Sequence, residues 1–241
     1  MSESKLRQAL ADTCRELERL NLNQGTAGNL SVRVNDAVLI TPSGIPYDRL
    51  KPEMIARMPL GQNDGAWTGP HKPSSEWRMH LDILRARPQD GAVIHTHSVY
   101  ATALSMLREE IPAAHYMIAA FGGSNVRCTA YAPYGTQELS DLAVEGLHER
   151  HGVLLGQHGM IVTGRDLGQA MWRAVELETL AKMYVIARAI GRPHILPDEE
   201  IAITVERFKS YGYQSDTVAT LGPASPAKRP RKAAAARPKK A

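Results

Sequence analysis

The chain has 241 residues, which is enough for one domain or two small domains with a real hydrophobic core. Its net charge of +4 is misleading, because four lysines and three arginines lie in residues 222–241, where there is no acidic residue. Residues 1–221 hold 22 basic and 25 acidic residues, a net charge of −3. This charge balance gives no indication of specific nucleic-acid binding by residues 1–221.

Other sequence features exclude further classes of protein. No apolar run approaches the roughly 18 residues that a membrane span needs, and the N-terminus lacks the apolar stretch of a signal peptide. Cys14 and Cys128 form no CxxC motif and indicate no disulfide framework. We therefore expect a cytoplasmic protein. Residues 215–241 are mainly Ala, Pro, Lys and Arg, which predicts a disordered tail without aromatic side chains for base stacking.

The first half of the chain predicts a helix followed by a hairpin. Leucines at helical spacing predict an amphipathic helix over residues 3–22. A polar loop, residues 23–29, precedes two strands at 30–34 and 37–41, which the tight turn Asn35-Asp36 joins. Residues 61–72 are Gly-rich and polar, which is typical of a surface loop.

The second half alternates helices with strands. Ser74 or Ser75 is a good N-cap for a helix that runs to about Arg87, and Asp166 is a good N-cap for the longest helix, which ends at Ile190. Further helices are predicted at 98–108, 136–149 and 198–211, and strands at 92–97, from residue 111, and on both sides of His158. Tightly paired strands among helices predict an α/β fold, a single domain with a mixed sheet that helices cover.

Three histidines and one glutamate have the spacing of a metal site. His95 and His97 lie two apart at the end of an apolar strand, so their side chains share one face. His158 lies in a Gly-flanked turn, and Glu76 lies near a helix start. This ligand set favours Zn²⁺. The alternatives are a buried His pair that bonds nearby carbonyls, and an acid that merely favours the first helical turn.

Three polar turns have the composition of a phosphate site. They combine small residues, hydroxyl groups and a helix N-terminus, where free N–H groups and the helix dipole favour an anion: Gly28-Asn29, Ser43-Gly44 and Ser74-Ser75. Taken singly, each is better explained as an ordinary turn or cap. No Walker A or GxGxxG pattern indicates a nucleotide. His148 and His151 look like a second metal pair, but one basic helix end explains both.

Six motifs together carry a resemblance to a known family. They are Asn23–Asn29, Leu39–Tyr47, Pro73–Arg78, His95–His97, Ile111–Ala120 and Gln157–Gly159. In this order and spacing they resemble the class II aldolase/adducin family, over about residues 4–213. The resemblance implies a three-layer α/β/α domain, residues 1–214, on a mostly antiparallel nine-stranded sheet, assembled as a cyclic homotetramer. The tail, residues 215–241, lies outside it.

The resemblance also implies an activity, a zinc-dependent cleavage of a ketose 1-phosphate of the L-fuculose 1-phosphate type to dihydroxyacetone phosphate and an aldehyde. Mn²⁺ or Co²⁺ could replace Zn²⁺. The implied metal ligands are His95, His97, His158 and Glu76, and Glu76 is also catalytic together with Tyr116 from a neighbouring subunit. The implied substrate-binding residues are Gly28, Asn29, Ser43, Gly44, Ser74, Ser75 and Tyr211.

Alternatives remain within and beyond this activity. Ser43 stands where family members that act on L-fuculose 1-phosphate usually have Thr, and Tyr134 stands where they have Phe, in the aldehyde region. The substrate could therefore be 5-deoxyribulose 1-phosphate or 5-methylthioribulose 1-phosphate. Relatives could use the same metal site for epimerisation, decarboxylation or dehydration of a sugar phosphate. A non-catalytic, adducin-like scaffold is disfavoured, because every ligand position is still His or Glu.

Overall fold

The computed structural model describes residues 2–62 and 64–210, so Tyr211 and the tail, residues 215–241, lie outside the described residues. Six α-helices lie within this part: α1 Glu3–Arg19, α2 Trp77–Ala86, α3 Val99–Met106, α4 Gln137–Gly146, α5 Leu167–Ile190 and α6 Asp198–Ser210. None of the helices described is long and apolar enough to span a bilayer. The strands are β1 Asn29–Val34, β2 Ala37–Ile40, β3 Ala56–Pro59, β4 Ala92–Thr96, β5 Ile111–Pro112, β6 Asn125–Cys128, β7 Gly152–Leu155 and β8 Gly159–Gly164.

The strands form one open sheet in the order β3-β2-β1-β4-β8-β7-β6-β5. All neighbours are antiparallel except β6 and β7, which are parallel, so the mixed α/β fold with a mostly antiparallel sheet is confirmed. The described residues form eight strands and not the nine that the resemblance implies. Next to β3, Thr68 makes only an isolated bridge to Arg57, which is too short to count as another strand.

Both faces of the sheet are buried, and β4 shows the layering. Ala92 and Ile94 pack into the core shared with α1, α3 and α5, whereas Val93 packs into the core shared with α2 and α4. Successive strand side chains alternate between faces, so His95 follows Val93 onto the face that α2 covers. The end of β4 that carries His95 therefore faces the start of α2.

The predicted helix caps have different outcomes. Asp166 caps α5 as predicted, because its Oδ1 accepts a 2.8 Å hydrogen bond from Gln169 N. The prediction that Ser74 or Ser75 caps α2 is wrong. The helix begins at Trp77 and Glu76 holds the N-cap position without making a capping bond. Ser74 Oγ instead accepts a hydrogen bond from Glu76 N at 3.2 Å, inside the preceding turn. The Glu76 carboxylate is thus free to point at the histidines.

The segment after β5 is less extended than its sequence indicated. Only Ile111–Pro112 are paired as a strand, and a 3₁₀ helix follows over Tyr116–Phe121. His115 caps that helix, since its Nδ1 accepts a 3.3 Å hydrogen bond from Met117 N. Tyr116 therefore lies at the first position of a short helix and is about half exposed.

Candidate metal centre and phosphate-binding turns

Three imidazoles meet at the end of β4. The Nε2 atoms of His95 and His97 lie 3.1 Å apart, and all three ring centroids of His95, His97 and His158 are separated by 4.8 to 4.9 Å. His158 follows Gln157, whose φ of +57° makes the tight turn between β7 and β8. The ligand atoms of the three histidines lie within 4.8 Å of one another, so this group can hold a metal ion.

Glu76 completes this group from the start of α2. Its Oε2 lies 3.3 Å from His95 Nε2, and its Oε1 lies 3.2 Å from His158 Nε2. Oε1 is nevertheless buried without a well-formed hydrogen bond. Burial acts to raise the pKa of the Glu76 carboxyl, but the adjacent His95 and His158 outweigh it and hold that pKa below its usual value. Glu76 is therefore a carboxylate, aimed at the imidazoles of His95 and His158.

The protonation of the rings leaves nitrogen lone pairs for a cation. Nδ1 of His95 lies 2.9 Å from the carbonyl oxygen of Met160 and donates to it, so Nε2 carries the lone pair. Burial, and then the neighbouring His95 and His158, lower the pKa of His97 to about 4, so this ring is neutral at pH 7. Tetrahedral Zn²⁺ with bonds of about 2.0–2.1 Å separates its ligand atoms by about 3.3 Å. The separations of 3.1 to 3.3 Å fit such an ion.

Two glycines let the backbone come close to the histidines. A Cβ on Gly159 would lie 2.5 Å from the Thr96 carbonyl oxygen and 2.9 Å from Cδ2 of His97, and a Cβ on Gly28 would lie 2.7 Å from the His95 carbonyl oxygen. Any side chain at either position would displace the β4 end. The loop before β1 and the β7–β8 turn therefore both pack directly against the His-x-His segment.

Asn23 and Tyr47 tie the loop of residues 23–28 to this segment. The Tyr47 hydroxyl donates to the Gly28 carbonyl oxygen at 2.7 Å and accepts from Asn23 Nδ2 at 3.2 Å. Asn23 Oδ1 accepts from His97 N at 3.3 Å. Neither residue was singled out from the sequence, although each lies at one end of a family motif. Their contact joins residues 24 positions apart, and only the fold reveals it.

Glu178 on α5 holds the chain just after His97. Its two carboxylate oxygens accept hydrogen bonds from Tyr100 N and Ala101 N, each at 2.9 Å. Ser98, the residue before α3, makes no capping bond of its own. An acid at a helix N-terminus satisfies free N–H groups and interacts favourably with the helix dipole. Sequence reasoning missed this role, because the capping residue comes from another helix.

The three polar turns lie next to one another. Asn29 Nδ2 donates to Glu76 Oε2 at 2.9 Å, which joins the first turn to the third. Ser43 N donates to the Lys72 carbonyl oxygen at 3.2 Å, and Ser74 N donates to the Thr41 carbonyl oxygen at 3.0 Å. These bonds bring the second turn to the third. The fold thus assembles the turns beside the histidines, and their binding of phosphate stays a prediction.

A cavity of about 380 Å³ opens over the group of histidines. Its lining residues are Thr26, Ala27, Ser75, Glu76, His97, Tyr131, Ala132, Tyr134, Gln157 and His158. Tyr131 and Tyr134 form its outer wall and are 51% and 71% exposed. Among the described residues of this one chain, Tyr116 does not line the cavity. One cavity therefore presents the metal group, a helix start and two aromatic rings together.

Comparison with known proteins gives a consistent result. The family model described as Class II Aldolase and Adducin N-terminal domain matches residues 8–185. A 5-methylthioribulose-1-phosphate/5-deoxyribulose-1-phosphate aldolase of Rhodospirillum rubrum is 49% identical over 211 residues, covering 88% of this chain and 94% of that protein. An L-fuculose phosphate aldolase of Escherichia coli K12 is 47% identical over 217 residues, covering 88% and 98%. The solved structure of an L-fuculose 1-phosphate aldolase matches with a TM-score of 0.82 at 40% identity, covering 87% and 98%.

Proposed function

We propose that this chain, which belongs to the class II aldolase and adducin family, is a divalent-metal-dependent aldehyde-lyase that cleaves a ketose 1-phosphate. The products are dihydroxyacetone phosphate and an aldehyde. The observation that carries the proposal is the meeting of four side chains at one cavity, of which Glu76, His97 and His158 line it and His95 lies buried behind them. A scaffold would have no need for three lone-pair nitrogens and a buried carboxylate beside open space.

The bound ion is proposed to be Zn²⁺, with Mn²⁺ or Co²⁺ as substitutes, and His95, His97, His158 and Glu76 are its ligands. An ion on three neutral imidazoles supplies Lewis-acid polarisation of the substrate carbonyl. Four protein ligands would leave no open position, as in a structural site. Glu76 would therefore have to leave an open position on such an ion for the substrate, and the lack of a well-formed hydrogen bond to its Oε1 supports this mobility.

The substrate phosphate is proposed to bind at the three adjoining turns, through Gly28, Asn29, Ser43, Gly44, Ser74 and Ser75. Backbone N–H groups and hydroxyls there favour an anion, and the start of α2 adds its positive dipole end. Ser75 is exposed at the cavity and lies directly before Glu76. Anchoring the phosphate here fixes the reacting carbons over the carboxylate, which lowers the entropic part of the barrier.

The proton transfers follow from the bond that breaks. Cleavage between C3 and C4 removes the proton of the C4 hydroxyl, and the electron pair of the bond stays on C3, conjugated with the C2 carbonyl. The net change is therefore one proton moved from the C4 hydroxyl to C3. Tyr116 from a neighbouring subunit of a homotetramer exchanges a proton with the C4 oxygen, and Glu76, a carboxylate at rest, gains the proton that this oxygen gives up and delivers it to C3. Tyr211 helps to close the site. Nothing in this reaction requires a membrane or nucleic acid, and we propose the cytoplasm as its location.

The aldehyde decides which ketose is cleaved. L-Fuculose 1-phosphate releases a three-carbon hydroxyaldehyde, 5-deoxyribulose 1-phosphate releases acetaldehyde, and 5-methylthioribulose 1-phosphate releases a thioether aldehyde. The name of the Escherichia coli relative supports the first substrate. The name of the Rhodospirillum rubrum relative supports the other two. We propose L-fuculose 1-phosphate as the primary substrate. Tyr134 lines the cavity and stands where family members that act on L-fuculose 1-phosphate have Phe, so 5-deoxyribulose 1-phosphate and 5-methylthioribulose 1-phosphate stay as the alternative substrates.

A panel assay tests this function. The purified protein is offered the three ketose 1-phosphates, and dihydroxyacetone phosphate is measured with and without a chelator. We expect chelator-sensitive release from at least one of them, with the highest kcat/KM for L-fuculose 1-phosphate. Higher kcat/KM for the thioether or 5-deoxy substrate transfers the assignment to that ketose. No release from any substrate by the metal-loaded protein refutes the aldolase, and epimerisation or decarboxylation products are then sought.

A further inference from the structure

A line of four buried side chains runs between β1 and α2 and ends at Glu76. Ser31 Oγ lies 2.8 Å from Nδ1 of His80, and Nε2 of His80 lies 2.5 Å from Oδ1 of Asn29. Nδ2 of Asn29 then donates to Oε2 of Glu76 at 2.9 Å. Ser31 and Asn29 come from β1, and His80 lies one turn into α2 after Glu76. Ser31 and His80 have no exposed surface.

Only one assignment of donors and acceptors satisfies all of these hydrogen bonds. The Glu76 carboxylate can only accept, so Asn29 must present its NH₂ group to it. Asn29 Oδ1 then faces His80 and accepts, so Nε2 of His80 carries the proton. Nδ1 of His80 is left with a lone pair, and it accepts from the Ser31 hydroxyl. The opposite tautomer of His80 would turn Asn29 and place two acceptor oxygens against each other.

His80 is uncharged in this arrangement. Burial, and then the nearby His95, lower the pKa of His80 to about 3, so the ring is neutral at pH 7. A neutral ring is both a donor and an acceptor. His80 can therefore accept a hydrogen bond from the Ser31 hydroxyl and donate one to the side-chain carbonyl of Asn29. Phenylalanine would fill the same space but offers neither function. Glutamine keeps a side-chain N–H donor at a similar reach.

We propose that His80 is a positioning residue, which orients Asn29 so that the Asn29 amide holds Glu76 Oε2 beside His95 and leaves Oε1 directed at His158. Partners outside the ligand shell orient metal ligands in this way, and their loss typically costs about 10- to 100-fold in metal affinity or activity. The inference rests on the proposed metal site, but it requires no particular substrate.

The opposing explanation is that His80 only fills space between β1 and α2. A filler predicts that His80→Phe, which keeps an aromatic ring, is tolerated better than His80→Gln. A positioning residue predicts the reverse order, because glutamine can still donate to Asn29. Ser31→Ala is the matched control at the far end of the line. It removes the bond to Nδ1 but leaves the His80–Asn29–Glu76 connection, so we expect a smaller effect from it.

The experiment measures Zn²⁺ affinity of the full-length variants by competition with a chromogenic chelator, and the His80 tautomer by ¹⁵N–¹H correlation spectroscopy of the wild type. We expect His80→Phe to bind Zn²⁺ about 10- to 100-fold more weakly, His80→Gln to bind it more tightly than His80→Phe, and the spectrum to show the Nε2–H tautomer. Equal affinities, or tighter binding by His80→Phe than by His80→Gln, overturn the proposal.

Neither readout depends on turnover, so the failure of the proposed aldolase is distinguishable from the failure of this inference. If no ketose 1-phosphate is cleaved, the Zn²⁺ affinities and the tautomer still decide the role of His80. If His80→Phe does not fold, the wild-type spectrum decides: the Nε2–H tautomer supports the directed line, and the Nδ1–H tautomer overturns it.

Discussion

The Nε2 atoms of His95 and His97 lie 3.1 Å apart, and burial keeps the His97 ring neutral at pH 7 by lowering its pKa to about 4. Nδ1 of His95 is occupied by the Met160 carbonyl oxygen, so Nε2 of His95 presents its lone pair to the space shared with His97, where a cation can bind. We expect about one divalent ion per chain in the purified protein, and its loss in His95→Ala, because few ligands hold it. Elemental analysis measures this, with the exposed His194→Ala as the control. Full metal occupancy in His95→Ala would refute the assignment.

The phosphate prediction is tested at Ser75. Ser75→Asp places a negative charge at the start of α2, where the phosphate is proposed to bind, and the two anions repel. We expect KM to rise at least about tenfold, the effect of roughly 1.4 kcal/mol, while the metal stays bound. Ser75→Asn is the control of similar size without charge. Steady-state kinetics on the preferred ketose 1-phosphate provide the measurement. An unchanged KM in Ser75→Asp would show that the substrate phosphate binds elsewhere.

Glu76 separates an enzyme from a scaffold. Glu76→Gln keeps the size of the side chain and can still accept from Asn29, but an amide cannot exchange a proton with C3. We expect a folded, metal-loaded variant whose kcat is lower by roughly 10²- to 10⁴-fold, the usual contribution of general acid–base catalysis. Near-normal kcat would remove Glu76 from the proton transfer. Loss of the metal would identify Glu76 as a structural ligand and would favour a scaffold.

Stability should depend on pH through His151, which lies away from the metal group. Burial, and then Arg173 and Arg87, lower its pKa to about 4, with Asp90 acting in the opposite sense. A base with a folded-state pKa below its unfolded value of about 6.5 costs no stability above that value. The protein loses stability as the pH falls from about 6.5 towards 4, because the imidazole takes up a proton in the unfolded chain at a higher pH than in the folded chain.

We therefore expect the free energy of unfolding of the chelator-treated protein to fall more steeply between pH 7 and pH 5 in the wild type than in His151→Asn. Asparagine can still accept from Arg87, whose Nη2 lies 3.2 Å from Nδ1 of His151, but it does not titrate. Urea unfolding at several pH values measures the difference. Parallel curves for the two proteins would show that His151 does not contribute.

The sequence predicted the parts of the fold that rest on local patterns. The apolar run of β4 and the cap at Asp166 are local signals, and the structure has both. The strands β3 and β6 were missed because each has only four residues and contains an arginine. Their pairing is decided by neighbouring strands and not by their own composition. The start of α2 was misplaced because the chain makes one more turn between Ser74 and Trp77.

The residues of the site likewise divide into those that the sequence indicated and those that only the fold revealed. Spacing could bring His95 and His97 to one face, the turn at His158 and the helix start at Glu76 supplied two further candidates, and the family resemblance implied the same four ligands. His80 escaped attention because it lies on the buried side of α2, where a histidine resembles a core residue. A polar residue four positions after a candidate ligand was the available signal. Its partner Asn29 is 51 residues away, so the connection required the fold.

The central claim is that the group of three histidines and Glu76 holds a metal on which carbon–carbon cleavage depends. The most direct measurement strips the protein with a chelator, removes the chelator, and follows dihydroxyacetone phosphate release as Zn²⁺ is titrated back. We predict no release from the stripped protein, although it stays folded, and full recovery at about one equivalent of Zn²⁺ per chain. Undiminished release from protein shown by elemental analysis to be metal-free would contradict the claim.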